Sequence, residues 1–284
     1  MKHRIFSIAL VVCLTFALAV PVCAAETDSS TLPNSVGGTT VGGIDNYGPE
    51  NPIHPYSDKD TSIHPNWSSG INSTHQFITG NAINLIRNAV SSYPLASYTS
   101  ALKTRSDWPD DSQKSQGEND NGLFLGHFYD PSTGKTYDNS SSPTAKTRLV
   151  NRYQLAVSQY KAGNKDTAMT HLAFALHYAA DLSTPHHAAN KTALNSNHTK
   201  YEKWVKDHQN NYVATSLSSS TLSWAKSTSI GDMGHNFAVN AKAQINNALN
   251  DSTFGVATQN ALPKAQRNCA AVIYKFLVDV GAVR

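Results

Sequence analysis

The stretch Met169-Thr-His171-Leu172-Ala173-Phe174-Ala175-Leu176-His177-Tyr178-Ala179-Ala180-Asp181-Leu-Ser-Thr-Pro185-His186-His187-Ala-Ala-Asn190 sets the reading of the whole chain. From about 165 to 182 it is apolar on most sides and free of Gly and Pro, which predicts a helix at the centre of a bundle. Pro185 is expected to end it. His177 and Asp181 stand four apart, so on a helix both side chains leave one face a turn apart. Burying an imidazole and a carboxylate in the most apolar helix costs free energy unless a strong partner is present. Ten residues after His187 the pattern resumes with Asn197-His198-Thr-Lys-Tyr-Glu202, again a His and an acid one turn apart. Imidazole with carboxylate suits a borderline divalent cation such as zinc, and thiolate is not required.

Outward from this stretch, helical periodicity dominates. Ile78, Ala82, Ile83, Leu85 and Ile86 form an apolar stripe after Ser73-Thr74, which offers an N-cap. Leu149, Tyr153, Ala156, Val157 and Tyr160 form a second stripe, ended by Gly163-Asn164. Further helices are predicted at 198–208, 231–249 and 264–281, the last carrying Cys269, Val272, Ile273, Phe276, Leu277 and Val280. Residues 106–142 are rich in Asp, Asn, Ser and Gly and read as a long loop, a kind of segment that usually carries function. Strand signals are few, so the fold class is all-α: a multi-helix bundle around a cluster of metal ligands.

At the N-terminus, Lys2, His3 and Arg4 precede an apolar run from Ile5 to Val20, and Val22-Cys23-Ala24 offers a cleavage site. That is the pattern of a secretory signal peptide over residues 1–24, and it predicts a secreted protein. Residues 25–66 are dominated by Ser, Thr, Gly, Asn, Asp and Pro without apolar periodicity, so they cannot bury enough surface to offset their ordering entropy. Composition alone fits a linker as well as a propeptide. The three cations and six carboxylates that precede Trp67 would leave with this segment, taking the formal charge from +3 to about +6. Such a diffuse positive balance selects no partner. Cys13 and Cys23 would leave too, and Cys269 alone cannot form an internal disulfide, which leaves bound metal as the available staple. Cys269 itself falls in an apolar stripe and reads as buried and inert.

The segments Gly126-His127-Phe-Tyr-Asp130-Pro131, His177-Tyr-x-x-Asp181-x-x-x-Pro185-x-His187-Ala-Ala-Asn190 and His198-Thr-Lys-Tyr-Glu202 resemble, in order and in combination, the zinc-dependent bacterial phospholipases C. The resemblance runs from Trp67 to the last helix. It implies a helical bundle over residues 67–284 holding three zinc ions, with Trp67 exposed as the N-terminus by removal of a propeptide at 25–66. It further implies that Trp67 binds one zinc through its amino nitrogen and carbonyl oxygen, with His75 and a shared oxygen of Asp181. A second zinc would take Asp110, His127, His177 and the other side of Asp181; the third would take His187, His198 and Glu202. Asp110 follows Trp108-Pro109 as in one branch of the family, with Asp107 and Asp111 as neighbouring alternatives. His187 is favoured over His186, which is expected to face away, because it directly precedes Ala-Ala-Asn. His171, His208 and His235 read as surface or satisfied core residues.

The resemblance also carries a function: hydrolysis of a glycerophospholipid, with phosphatidylcholine the expected substrate, to diacylglycerol and a phosphorylated head group. Zinc would lower the pKa of water and stabilise charge on phosphorus, so no nucleophilic side chain is needed. Asp110 could assist as a base, and Phe124 matches a ring of the head-group pocket, although the early carboxylate of choline-preferring members is missing at Ser68-Ser69-Gly70. A monomer acting at a membrane or micelle surface is expected, with no nucleic acid partner and no separate C-terminal lipid-binding domain. Two alternatives stand beside this: a secreted trinuclear-zinc single-strand nuclease or nucleotidase, and a metal-stabilised binding protein without catalysis.

Overall fold

The computed structural model describes residues 73–111 and 118–283, and every regular element in them is helical. The all-α expectation holds. Helix α1 (Thr74–Ala89) begins where the sequence places it, with the Ser73 hydroxyl accepting from the Gln76 N–H as a side-chain cap. A short α2 (Thr99–Arg105) follows, then the loop region, then α3 (Ala145–Lys161), whose Thr144 and Thr147 cap each other reciprocally. Gly163 takes a left-handed backbone (φ 88) and turns the chain straight into α4 (Lys165–Asp181). A turn this short makes α3 and α4 an antiparallel pair.

Helix α4 is the central element. Every residue from Leu172 to Asp181 is buried, and it packs against α1, α2, α3 and the C-terminal helix. Pro185 does not simply stop it: α4 ends at Asp181, and Pro185 opens a four-residue helix, α5 (Pro185–Ala188), a position where its missing N–H costs nothing. Helix α6 (His198–His208) follows, then α7 (Ser219–Ser227), α8 (Ile230–Lys242) and α9 (Ile245–Ala248).

The last helix, α10 (Phe254–Asp279), starts ten residues before the predicted boundary and runs through Pro263. Proline removes a backbone hydrogen bond and crowds the carbonyl one turn back. Ala257, Ala261, Leu262 and Ala265 are buried on either side of it, so packing against α1, α4 and α7 offsets a local cost that propensity alone would not. Helices α2 and α7 carry weak apolar periodicity and are not foreseen, and the segment predicted as one helix at 231–249 breaks between Lys242 and Ile245. The 106–142 region is not bare loop either, since it contains 3-10 turns at Trp108–Asp110, Asp120–Gly122 and Leu125–His127. The signal-peptide, propeptide and Trp67 readings concern residues outside those described.

Candidate metal centre

Eight of the nine proposed ligands lie among the described residues, and all eight side chains are buried. They come from α1 (His75), the Trp108–Asp110 turn (Asp110), the Leu125–His127 turn (His127), α4 (His177, Asp181), α5 (His187) and α6 (His198, Glu202).

The first cluster surrounds two carboxylates. His177 donates from Nδ1 to the Ser106 carbonyl (2.8 Å), which turns its Nε2 inward to 3.2 Å from Asp181 Oδ2 and 3.5 Å from Asp110 Oδ1. His127 makes the complementary choice. Its Nε2–H donates to the Glu118 carbonyl (3.1 Å), and its Nδ1 points inward, 3.0 Å from Asp181 Oδ2 and 3.3 Å from Asp110 Oδ1. His75 stacks on His177 with ring centres 4.0 Å apart, and its Nε2 lies 3.6 Å from both Asp110 Oδ2 and Asp181 Oδ1. A carbonyl can only accept, so each such bond fixes the tautomer and frees the other nitrogen as a donor to metal.

The second cluster is more local. His187 donates from Nδ1 to the His127 carbonyl (2.8 Å), and its Nε2 lies 3.2 Å from Glu202 Oε1. His198 Nε2 lies 2.7 Å from the same oxygen. Asp181 Oδ1 stands 3.3 Å from His187 Nδ1 and so touches both clusters. Among the described residues three groups could hold a metal, each with ligand atoms mutually within 4.8 Å: His75-Asp110-His177, His127-His177-Asp181 and His187-His198-Glu202. His75 therefore stands between Asp110 and Asp181, where the sequence reading had paired it with Asp181 and Trp67 alone.

The electrostatics fit a cation. Both oxygens of Asp110 and Oδ1 of Asp181 are buried without a hydrogen-bond donor, an arrangement that is costly unless positive charge sits between them. Burial, reinforced by Asp181 and Asp107, pushes the Asp110 carboxyl well above its ordinary value. Burial acts on Asp181 in the same direction, but His177 and His187 outweigh it and hold this carboxyl well below. His177 is drawn down by burial and lifted more strongly by Asp181 and Asp110, reaching about 9. Glu202 resists burial through His198 and His187 and falls to about 2. His75, by contrast, is driven well below its usual value by burial and by the neighbouring His177.

Of the three candidate aspartates, Asp107 turns away, accepting from Ser73 Oγ and from Gln76 Nε2 (2.6 Å), while Asp110 meets the imidazoles. His186 is also turned aside but is not at the surface. It is fully buried, bonded through Nε2 to Asn197 Oδ1 (3.1 Å) and stacked on His198, and burial lowers its pKa to about 3. His171 accepts from Arg152, His208 bonds the Trp204 carbonyl, and His235 meets the Tyr129 hydroxyl. Cys269 is buried, as its apolar stripe predicts. Phe124 is 2% exposed and edge-on to His127, with a left-handed backbone (φ 53).

Residues 74–251, more than half of the chain, match the family described as zinc dependent phospholipase C. The chain belongs to that family. Its relatives include a phospholipase C of Bacillus cereus, 37% identical over 137 residues that cover 47% of each chain. Another is a phospholipase C of Paraclostridium bifermentans, 33% identical over 169 residues covering 53% of this chain and 41% of that one. The match thus spans about half the length of these relatives. Among solved structures, the alpha-toxin of an avian strain of Clostridium perfringens superposes with a TM-score of 0.63 at 26% identity, covering 74% of this chain and 64% of that one. The alpha toxin of Clostridium absonum (TM-score 0.65, 22% identity, 76% and 67% covered) shares the fold.

What the ligand motifs did not reveal is the layer behind them. The Ser106, Glu118 and His127 carbonyls carry no side-chain identity and leave no mark in a sequence. Arg148 and Arg152, one turn apart on α3 and facing acidic Glu118 and Asp120, did leave one.

Proposed function

We propose that the protein is a secreted phospholipase C that hydrolyses glycerophospholipids, phosphatidylcholine among them, to diacylglycerol and a phosphorylated head group. The observation that carries this is the family match together with eight buried ligands arranged as three metal-competent groups. Bound zinc, three ions per chain in this reading, supplies activated water and charge stabilisation at phosphorus. The chain's own residues hold the cations in place and fix which nitrogen each imidazole presents. His187, His198 and Glu202 form a group of three protein ligands that shares none with the other two, and in this reading its remaining positions are taken by water and substrate oxygen. Asp110, whose carboxyl is raised by burial, is proposed as a ligand that also accepts a proton. Phe124 is proposed as an aromatic wall beside His127, toward the head group.

In the same reading, residues 1–24 are a signal peptide and 25–66 a propeptide. An amide nitrogen has lost its lone pair to resonance, so Trp67 would ligate only after cleavage frees its amine. No helix among the described residues is long and apolar enough to cross a membrane, so contact with lipid would be made from the surface.

The test uses protein starting at Trp67. Metal analysis should give three zinc per chain, and the enzyme should turn over phosphatidylcholine micelles but not single-stranded DNA. Turnover of DNA alone would favour the nuclease alternative, and zinc-loaded protein inert on both would favour a binding role.

A further inference from the structure

We propose that Arg148 is a positioning residue for the metal centre, acting on His127 through the backbone carbonyl of Glu118; the inference rests on the zinc-dependent reading above. That carbonyl accepts two donors: His127 Nε2–H at 3.1 Å and Arg148 Nη1 at 2.6 Å. The guanidinium therefore fixes the acceptor that sets which His127 nitrogen faces Asp181 and Asp110. Its other contacts grip the same loop from both ends. Nη2 pairs with the Asp120 carboxylate, whose second oxygen accepts the N–H of Gly126 at 2.8 Å, the residue next to His127. Nη1 also donates to the Tyr178 hydroxyl at 2.9 Å, which in turn donates a hydrogen bond to Glu118 Oε2 at 2.7 Å. Tyr178 directly follows His177 on α4, so one planar cation ties the loop of one ligand to the helix of another.

Two features make this more than a surface ion pair. The guanidinium lies flush against Gly126, and a Cβ there would collide with it, so glycine at 126 and arginine at 148 fit as a pair. The loop from Glu118 to His127 holds Asp120, Asn121 and Phe124 in the left-handed region (φ 52, 59 and 53), a conformation that persists only where surroundings over-determine it. A lysine has one ammonium where the site uses a fork, so it cannot reach Glu118, Tyr178 and Asp120 together.

The experiment uses the Trp67-started protein loaded with cadmium or zinc, comparing wild type with Arg148→Lys, Arg148→Gln and Gly126→Ala. Cadmium NMR resolves the sites individually, chelator competition gives their affinities, and nitrogen NMR of the imidazoles reports exchange of the His127 Nε2 proton. We expect the affinity of the site holding His127 to fall about tenfold to a hundredfold in all three variants. The Nε2 proton should exchange faster, and the His187-His198-Glu202 site should bind as before. Equal loss at every site in step with a lowered melting temperature would reduce Arg148 to a structural role, and an unchanged His127 site would overturn the proposal. Wild-type protein that takes up no metal would instead sink the functional reading on which it stands.

Discussion

The two clusters that meet at Asp181 are built differently. The His75-Asp110-His127-His177-Asp181 cluster draws on four separated segments, places two carboxylates together, and anchors two of its imidazoles on backbone carbonyls. The His187-His198-Glu202 cluster spans sixteen residues of sequence on α5 and α6, has one carboxylate, and leaves His198 Nδ1 buried without a hydrogen bond. The first is a tertiary construction whose like charges oppose folding unless a cation joins them. The second is nearly local, and Glu202 is already compensated by its two histidines. Metal should therefore contribute more to folding at the first cluster and leave more coordination open to substrate at the second.

The strongest way to break this contrast is to remove the metal. Ligand linkage adds about 4 kcal/mol when free metal stands a thousandfold above its dissociation constant. For a domain of this size that corresponds to a drop in melting temperature of roughly 8–16 °C on chelation. A calorimetric scan with and without chelator measures it, and an unchanged Tm would mean that the clusters are internally satisfied. The fall should be larger in Glu202→Gln, which keeps the first cluster intact, than in Asp181→Asn, which disables it.

Asp110 sharpens the contrast by separating stability from function. Its raised carboxyl means that the folded metal-free state holds a proton the unfolded chain releases, so ionisation costs stability increasingly as pH rises above the ordinary aspartate value. Metal-free Asp110→Asn should therefore be more stable than metal-free wild type at pH 7, by about 1–3 kcal/mol, with the gap closing below pH ~4. With zinc present the same variant should lose affinity and activity. Denaturant titrations at both pH values would contradict this if the metal-free variant proved the weaker.

His177 gives a smaller effect with a definite sign. Its metal-free pKa near 9 makes it protonated at neutral pH, and a ligating imidazole must be neutral. Zinc uptake at pH 7 should release protons, and affinity should rise as pH climbs toward 9. Calorimetric titration in buffers of different ionisation enthalpy counts the protons, and zero release would place His177 outside the ligand set.

The last contrast lies between adjacent residues, one of which should matter little. His187→Ala should empty the second cluster and lower turnover by several orders of magnitude. His186→Ala removes only a ring stacked on His198 and a bond to Asn197, so it should keep the zinc count and cost about 1–3 kcal/mol of stability. Loss of zinc in the His186 variant alone would shift the ligand register by one residue.

Periodicity and spacing determined a good deal on their own. An α4 apolar on nearly every side had to be central, and an imidazole and a carboxylate one turn apart on it needed a partner, so the bundle and the His177-Asp181 and His198-Glu202 pairs could be read directly from the sequence. Side-chain type and helical period are local properties, and local properties survive in a sequence. Tertiary structure alone decided that Asp110 rather than Asp107 meets the imidazoles, because Ser73 and Gln76 at the start of α1 claim Asp107. It also decided that Pro263 lies inside α10 and that His75 stands between two carboxylates. The tautomers belong here too: they are set by the carbonyls of Ser106, Glu118 and His127, and every residue has a carbonyl, so only the path of the chain determines where one points.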